Sequence, residues 1–299
     1  APQLSNSSGK LVEALIVIRR RFPSSLIWTP GISGPDNCAL LSWLGVDLFD
    51  LSRSRIAIAT GLLLTSDGPR YAEASLGENV NMGTQIDHWR YSIASLRSAI
   101  RSGTVRELAE KASLSSPRSV ERLRRHDTLI RADKGSSTLT AVDTSGRKLR
   151  YNSPVSRQDP LVNDWRNRVS RLHTPPSHQE QLLILLPCSA TKPYRLSQSH
   201  HRFIRNIPSN RAHQMMVTSP LGLVPRELED LWPAAHYDIP VTGDWDADEL
   251  EMVNSMISEV CERVGYSEIV NHSGMDLSLI HISEPTRRYA ISYAVFCLK

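Results

Sequence analysis

The chain has 299 residues, of which 40% are hydrophobic and 22% charged, with a net charge of +4 and a pI near 8.9. That composition is ordinary for a globular chain and long enough for two domains, and its mild basicity is compatible with a nucleic-acid partner without arguing for one. No run of about 18 apolar residues and no apolar leader within the polar stretch Ala1–Lys10 is found, so neither a membrane helix nor a signal peptide is expected. The four cysteines, Cys38, Cys188, Cys261 and Cys297, form no Cys-x-x-Cys pair. They point away from a sequence-local zinc site or a disulfide framework and toward a reducing cytoplasm, each reading as a small buried hydrophobe.

In chain order, an amphipathic helix is predicted over Leu11–Arg21, ending before Pro23. Short strands follow at Ser25–Trp28 and Val46–Asp50, separated by a helix over Ala39–Leu44 that Asp36 or Asn37 caps. Strands and helices alternating at this spacing imply parallel βα units, whose ligand-facing residues sit at strand C-termini, where Asp50 lies. Ile86–Ile100 is a helix with Ile86, Trp89, Ile93, Leu96 and Ile100 on one stripe, and Gly103 ends it. Two further helices are predicted, one to Lys111 and one opened by Pro117 and running to Arg125. This helical block is rich in arginine and reads as solvated faces paired with Glu107, Glu110 and Glu121, with phosphate contact as the alternative.

Residues 131–178 read as a linker with small irregular elements. They include a strand pair around Ser137–Tyr151, turning at Asp143–Gly146, and a short helix near Leu161–Leu172. The Thr174-Pro175-Pro176-Ser177 element marks the domain boundary. Beyond it, strands are predicted at Gln181–Leu186, His213–Thr218 and Ser267–Asn271. Helices are predicted at His201–Ile207, Pro225–Leu231 and Asp246–Val264, which together make a parallel-sheet α/β domain over 179–276. Leu277–Lys299 fits nothing before it and resembles translated sequencing-adaptor read-through, so it is set aside as an artefact. A genuine strand pair on Ala290–Leu298 is the alternative.

Several of these residues resemble known families. Gly45-Val46-Asp47-Leu48-Phe49-Asp50, Gly61, Thr65-Ser66-Asp67-Gly68 and Ser98–Gly103 resemble the end of the tRNA-guanine transglycosylase barrel. This region, 1–130, is therefore expected to be a degenerate TIM-barrel remnant followed by helices, in a truncated chain. In that family the aspartate matching Asp50 is the nucleophile of base exchange. Here the Pro-Thr-Arg segment that follows it is replaced by Ser54, Arg55, Ile56 and Ala59, the zinc cysteines are missing, and Thr84 stands at the zinc histidine position. A nucleophile without groups to hold its substrate gives little rate, so Asp50 is expected to be vestigial.

The second domain carries the more specific pattern. Pro187-Cys188, Lys192-Pro193-Tyr194, Ser197 and His200 keep the spacing of the archaeosine synthase motif. Thr218–Gly222, Val224–Glu229 and Tyr237–Gly243 continue the resemblance. Read physically, a buried strand delivers Cys188 to its C-terminal end, where α/β sheets place ligands. Lys192 and His200 are close enough in sequence to lower the thiol pKa, and Ser197 can cap the next helix.

The resemblance implies a transferase, with no cofactor or metal, acting on tRNA that carries 7-cyano-7-deazaguanine in the D-loop. It implies conversion of the nitrile to an amidine-type group with an amine donor, glutamine or lysine. Cys188, Lys192, His200 and Asp238 are the catalytic candidates, and Tyr194, Ser197, Ser219, Arg226 and Glu227 the substrate-binding ones. Ser219, Arg226 and Glu227 read equally well as residues that close a turn and cap a helix. A radical SAM partner enzyme and a homodimer are the remaining partner expectations. The alternative function is a non-catalytic tRNA-binding subunit of a split enzyme.

Overall fold

In the computed structural model, which describes residues 6, 9–132, 148–207, 211–239 and 243–275, the chain divides into two units, 1–147 and 148–299. The strand turn expected at Asp143–Gly146 and the tail from Leu277 lie outside the described residues.

In the first unit, helix α1 (Lys10–Arg21) buries Leu11, Val12, Leu15 and Ile16, the apolar stripe that its sequence implies. The two short strands expected next shrink to one parallel bridge, Trp28 to Leu48. The backbone N–H groups of Asp47 and Leu48 both donate to the Ile27 carbonyl. Helix α2 (Cys38–Trp43) lies between them, and α3 (Ser52–Ala59), which lacks a clear periodic stripe, follows Asp50. Strands β1 (Leu63–Thr65) and β2 (Gly68–Arg70) form an antiparallel hairpin around Ser66-Asp67. Helix α4 (Met82–Ser102) starts where Asn81 accepts a hydrogen bond from the Thr84 amide and stops at Gly103, whose φ of 66° suits glycine. Helices α5 (Val105–Ser113) and α6 (Pro117–Ala132) are joined by a buried two-pronged ion pair, Arg106 to Asp127, at 2.6 and 2.8 Å. Arg106 is thus a structural residue, while Arg97, Arg101, Arg118, Arg124 and Arg125 are exposed. Among the described residues, this unit shows the hairpin and the parallel bridge but no closed barrel sheet.

The second unit begins within the expected linker, at Lys148. Its first strand, β3 (Leu149–Arg150), pairs in parallel with β7 (Tyr237–Asp238) among the described residues, and the expected hairpin partner lies outside them. Helix α7 (Pro160–Arg171) opens on Asp159 and Pro160 and buries Val162, Trp165 and Val169. The Trp165 indole donates to the Leu223 carbonyl at 3.0 Å, which fastens α7 to the sheet. The Pro175-Pro176 element therefore lies inside this unit and does not mark its edge.

The main sheet has the order β6-β5-β4-β8. Central β4 (Leu182–Pro187) is buried on both faces and runs parallel to β5 (Ala212–Thr218) and β8 (Glu268–Asn271). The sheet is not wholly parallel, because β6 (Gly222–Pro225) turns back antiparallel beside β5. The helix expected over Pro225–Leu231 is instead this strand and a single 3₁₀ turn at Arg226–Leu228. A proline can end an edge strand as readily as it opens a helix, and Gly222, at φ 76°, supplies the tight hairpin. A Cβ on Gly222 would also sit 2.2 Å from the Met256 sulfur. Helix α8 (Gln198–Asn206) follows β4. Helix α9 (Ala247–Val264) carries a capping box in which Asp246 and Glu249 satisfy each other's backbone amides. No helix among the described residues is long and apolar enough to cross a membrane.

Candidate active site

Strand β4 ends at Pro187, and Cys188 follows it at the C-terminal edge of the sheet, where parallel strands direct their ligand crevice. Cys188 lines a cavity of about 320 Å³ together with Tyr151, Ser153, Arg157, Ser219, Ile239, Trp245, Glu249 and Ser273. The cavity mixes apolar walls with a few polar groups, as small-molecule sites do. Ser219 reaches it from the β5–β6 turn and donates its hydroxyl to Glu249, near the start of α9. Arg157 makes a two-pronged bond to Asp246 at 2.8 and 2.5 Å.

Burial pushes the Cys188 thiol up, against the opposing pull of the Lys192 charge and a hydrogen bond with Thr218. The expected lowering of its pKa therefore does not occur, because desolvation outweighs one nearby cation. Lys192 is itself shifted down, by burial first and then by Lys148, while Cys188 and Asp238 oppose this. Its ammonium is buried without a hydrogen-bond acceptor and lies 4.3 Å from the centre of the Tyr237 ring. A cation–π contact of this kind offsets part of the desolvation.

His200 occupies a different place from the one expected. It is fully buried in α8, with Nε2 3.0 Å from the Pro187 carbonyl and Nδ1 2.9 Å from the Arg226 guanidinium. Arg226 can only donate, so Nδ1 accepts and Nε2 carries the proton, which it donates to Pro187. Burial, reinforced by the Arg226 charge, lowers His200 from 6.5 to about 4. His200 is therefore a neutral brace behind the residue preceding Cys188, poorly suited to moving protons near neutral pH.

The sign of the linked pH effect follows. The unfolded chain binds this proton more tightly, so the stabilisation is complete above pH 6.5 and is lost as pH falls toward 4. Urea midpoints measured between pH 7 and 4 should fall more steeply for the native chain than for His200→Gln. The difference should reach up to about 3 kcal/mol. Parallel pH dependences would refute the assignment.

The other candidates divide in two. Tyr194 is fully buried, and its hydroxyl bonds that of Tyr237, which in turn bonds Thr218 Oγ1 at 2.5 Å. Tyr194 is thus the inner end of a hydroxyl chain leading to Cys188 and not a surface contact for substrate. Ser197 caps α8 by accepting from the His200 amide. Arg226 is spent on Gln214, Glu229 and His200. Glu227 lies outside the cavity lining and bonds His173 and His213. Asp238 is half-exposed, 3.2 Å from Lys148, with its carboxylate close enough to act on Lys192. Tyr237, Thr218, Arg157 and Glu249 were not anticipated as site residues. Thr218 and Tyr237 stand in segments that carry the resemblance, and Glu249 is an acid at a helix start, whereas Arg157 leaves no local signal.

In the first unit, both oxygens of Asp50 are engaged. Oδ1 accepts from the Ser52 amide at 2.7 Å, and Oδ2 from the Gly31 amide and the Trp28 indole at 2.9 and 3.2 Å. Burial would raise its pKa, but these donors together hold it below the ordinary carboxylate value. Asp50 lines an apolar cavity of about 470 Å³ with Leu48, Phe49, Trp89 and Ile93.

Residues 162–295 match a family described as a domain of unknown function, DUF5591, a match that runs on into the segment set aside above. The archaeosine synthase subunit alpha of Thermoplasma acidophilum is 33% identical, with 95% of this chain and 54% of the relative aligned. That of Methanosarcina acetivorans is 30% identical over 91% of this chain and 47% of the relative. A tRNA-guanine(15) transglycosylase from Methanobrevibacter smithii is 27% identical over 65% of this chain and 29% of its own length. The chain spans about half the length of the archaeosine synthase subunits it matches.

Proposed function

The chain belongs to the archaeosine synthase family, and from that premise we propose that its second unit carries out the nitrile-to-amidine step on tRNA in the cytoplasm. The observation that carries this reading is the placement of Cys188 on the wall of a cavity at the sheet's C-terminal edge, with the buried, unpartnered Lys192 ammonium acting on it. In this reading the substrate is tRNA bearing 7-cyano-7-deazaguanine, and glutamine or lysine donates the amine.

The thiol sulfur adds to the nitrile carbon, one π bond of the nitrile opens, and its nitrogen takes up a proton to give a covalent thioimide. The Lys192 ammonium holds the charge developing on that nitrogen. The donor amine then attacks the same carbon, the carbon–sulfur bond breaks, and the proton released by the amine returns to the sulfur. Asp238, next to the cavity-lining Ile239, is the candidate for moving protons, and His200, held between Pro187 and Arg226, is not given that role.

The first unit is, in this reading, the degenerate end of a transglycosylase barrel with Asp50 vestigial. Its carboxylate accepts hydrogen bonds from three donors of the unit itself, which supports a structural role for it. A radical SAM partner enzyme and self-association into a dimer complete the proposal. The test is incubation of nitrile-bearing tRNA with each amine donor, followed by mass spectrometry of the released nucleosides. Consumption of the nitrile nucleoside with a donor-dependent gain in mass is the expected result. Unchanged nucleoside, with tRNA still bound, would make the chain a binding subunit instead.

A further inference from the structure

At the opposite end of β5 from Cys188, three side chains separated in sequence converge. His213, the second residue of β5, is fully buried, and its Nε2 lies 3.0 Å from Glu227 Oε1. His173, two residues beyond α7, places its own Nε2 2.8 Å from the same oxygen. The three donor atoms all lie within 4.8 Å of one another, and the two imidazole rings are 5.7 Å apart. We propose that His173, His213 and Glu227 form a divalent-metal site that takes zinc, separate from the Cys188 cavity. The inference does not depend on the proposed reaction.

The donor set and its spacing carry the argument. Two imidazoles and one carboxylate suit zinc, which binds such ligands at about 2.0–2.2 Å in tetrahedral geometry, so that donors stand roughly 3.3–3.6 Å apart. Both nitrogen–oxygen separations already come close to that spacing. The remaining nitrogen–nitrogen distance needs a shift of no more than about an ångström and a half. The outer contact is also in place, because His213 Nδ1 bonds the Tyr266 hydroxyl. A metal on Nε2 leaves the ring proton on Nδ1, where that hydroxyl accepts it and fixes the ring. His173 and Glu227 retain partial exposure, at 12% and 29% of their side chains, which leaves an open side for water as a fourth ligand.

Thr218, at the Cys188 end of the strand, is five residues from His213. At the rise of an extended strand that is about 16 Å, so the two sites do not share a ligand. A metal here would clasp the segment after α7 to the sheet through β5 and the turn after β6.

The test uses the full chain stripped with chelator and titrated with zinc alone or cobalt(II) alone. The expected results are uptake of one equivalent, a raised melting temperature, and for cobalt a visible absorption band without thiolate charge transfer. His173→Ala, at the partly exposed ligand, should weaken uptake at least 100-fold while keeping a native circular dichroism spectrum. Glu227→Gln, which can still accept a hydrogen bond from a histidine, should do the same. Cys188→Ser should leave uptake unchanged. No stoichiometric uptake by the native chain would overturn the site and leave the cluster as a carboxylate bridging two histidines. Uptake indifferent to both ligand variants would overturn it equally.

Discussion

Alanine in place of Cys188 is expected to abolish consumption of the nitrile nucleoside, with a loss on the order of 10³-fold or more in turnover while tRNA affinity changes little. That loss corresponds to about 4 kcal/mol of transition-state stabilisation, which no neighbouring group can replace, because the covalent route needs a polarisable nucleophile on the nitrile carbon. Cys188→Ser is expected to be nearly as inactive. A buried hydroxyl is far harder to deprotonate than a thiol, and the same desolvation that raises the Cys188 pKa acts on it more strongly. The pH dependence has a definite sign. With the thiol pushed above its ordinary 9.0, the thiolate is the minor form at neutral pH, so turnover should rise about tenfold per pH unit from pH 6 to 8. Quenching during turnover should trap base linked through sulfur to the Cys188 peptide. Turnover near the native rate in Cys188→Ala would end the covalent scheme and leave Lys192 as a binding residue.

How far the sequence announces this site depends on the range of the interactions involved. The apolar run of β4 and the Pro-Cys step at its end are local, and they place Cys188 at the sheet's edge without reference to the rest of the chain. The long helices α4 and α9 are likewise legible, since their stripes and caps lie within a few residues of each other, whereas α6 runs on to Ala132 past its expected end at Arg125. Features that depend on partners distant in sequence are not legible in this way. His200 lies within hydrogen-bond-sized sequence reach of Cys188, yet Arg226, 26 residues away, claims its free nitrogen. Tyr194 reads as a substrate contact in the motif, but Tyr237, 43 residues on, takes its hydroxyl into the interior. The Pro225 segment satisfies the rule for a helix start and becomes an edge strand, because β5 offers it a ladder of hydrogen bonds. The two strands before Asp50 contract to a bridge for the converse reason: among the described residues, no third strand flanks them. The histidines of the proposed metal site stand 40 residues apart and Glu227 another 14 beyond, a spacing that no local motif encodes.

Lys192 is the residue for which the structure adds most to the motif, and removing its charge should have two separable effects. In Lys192→Met the side chain keeps its apolar stem against Tyr237 but loses the ammonium, so the chain should remain folded. Turnover should fall about 10²–10³-fold, the usual cost of removing a preorganised donor to a developing anion. The second effect is on the cysteine. The Lys192 charge is the largest influence opposing burial at Cys188, so its loss should raise the thiol pKa further. Alkylation by iodoacetamide, followed by quantifying the Cys188 peptide across pH 7–10, reads this directly. The midpoint should move upward in Lys192→Met and move back in Lys192→Arg, which restores charge but not shape. Turnover in the arginine variant should recover only in part, because a planar guanidinium cannot occupy the position of a compact ammonium over the Tyr237 ring. A residue serving only to pack the loop would lower turnover without moving the alkylation midpoint. An unchanged midpoint in Lys192→Met would therefore remove the electrostatic role, even if activity were lost.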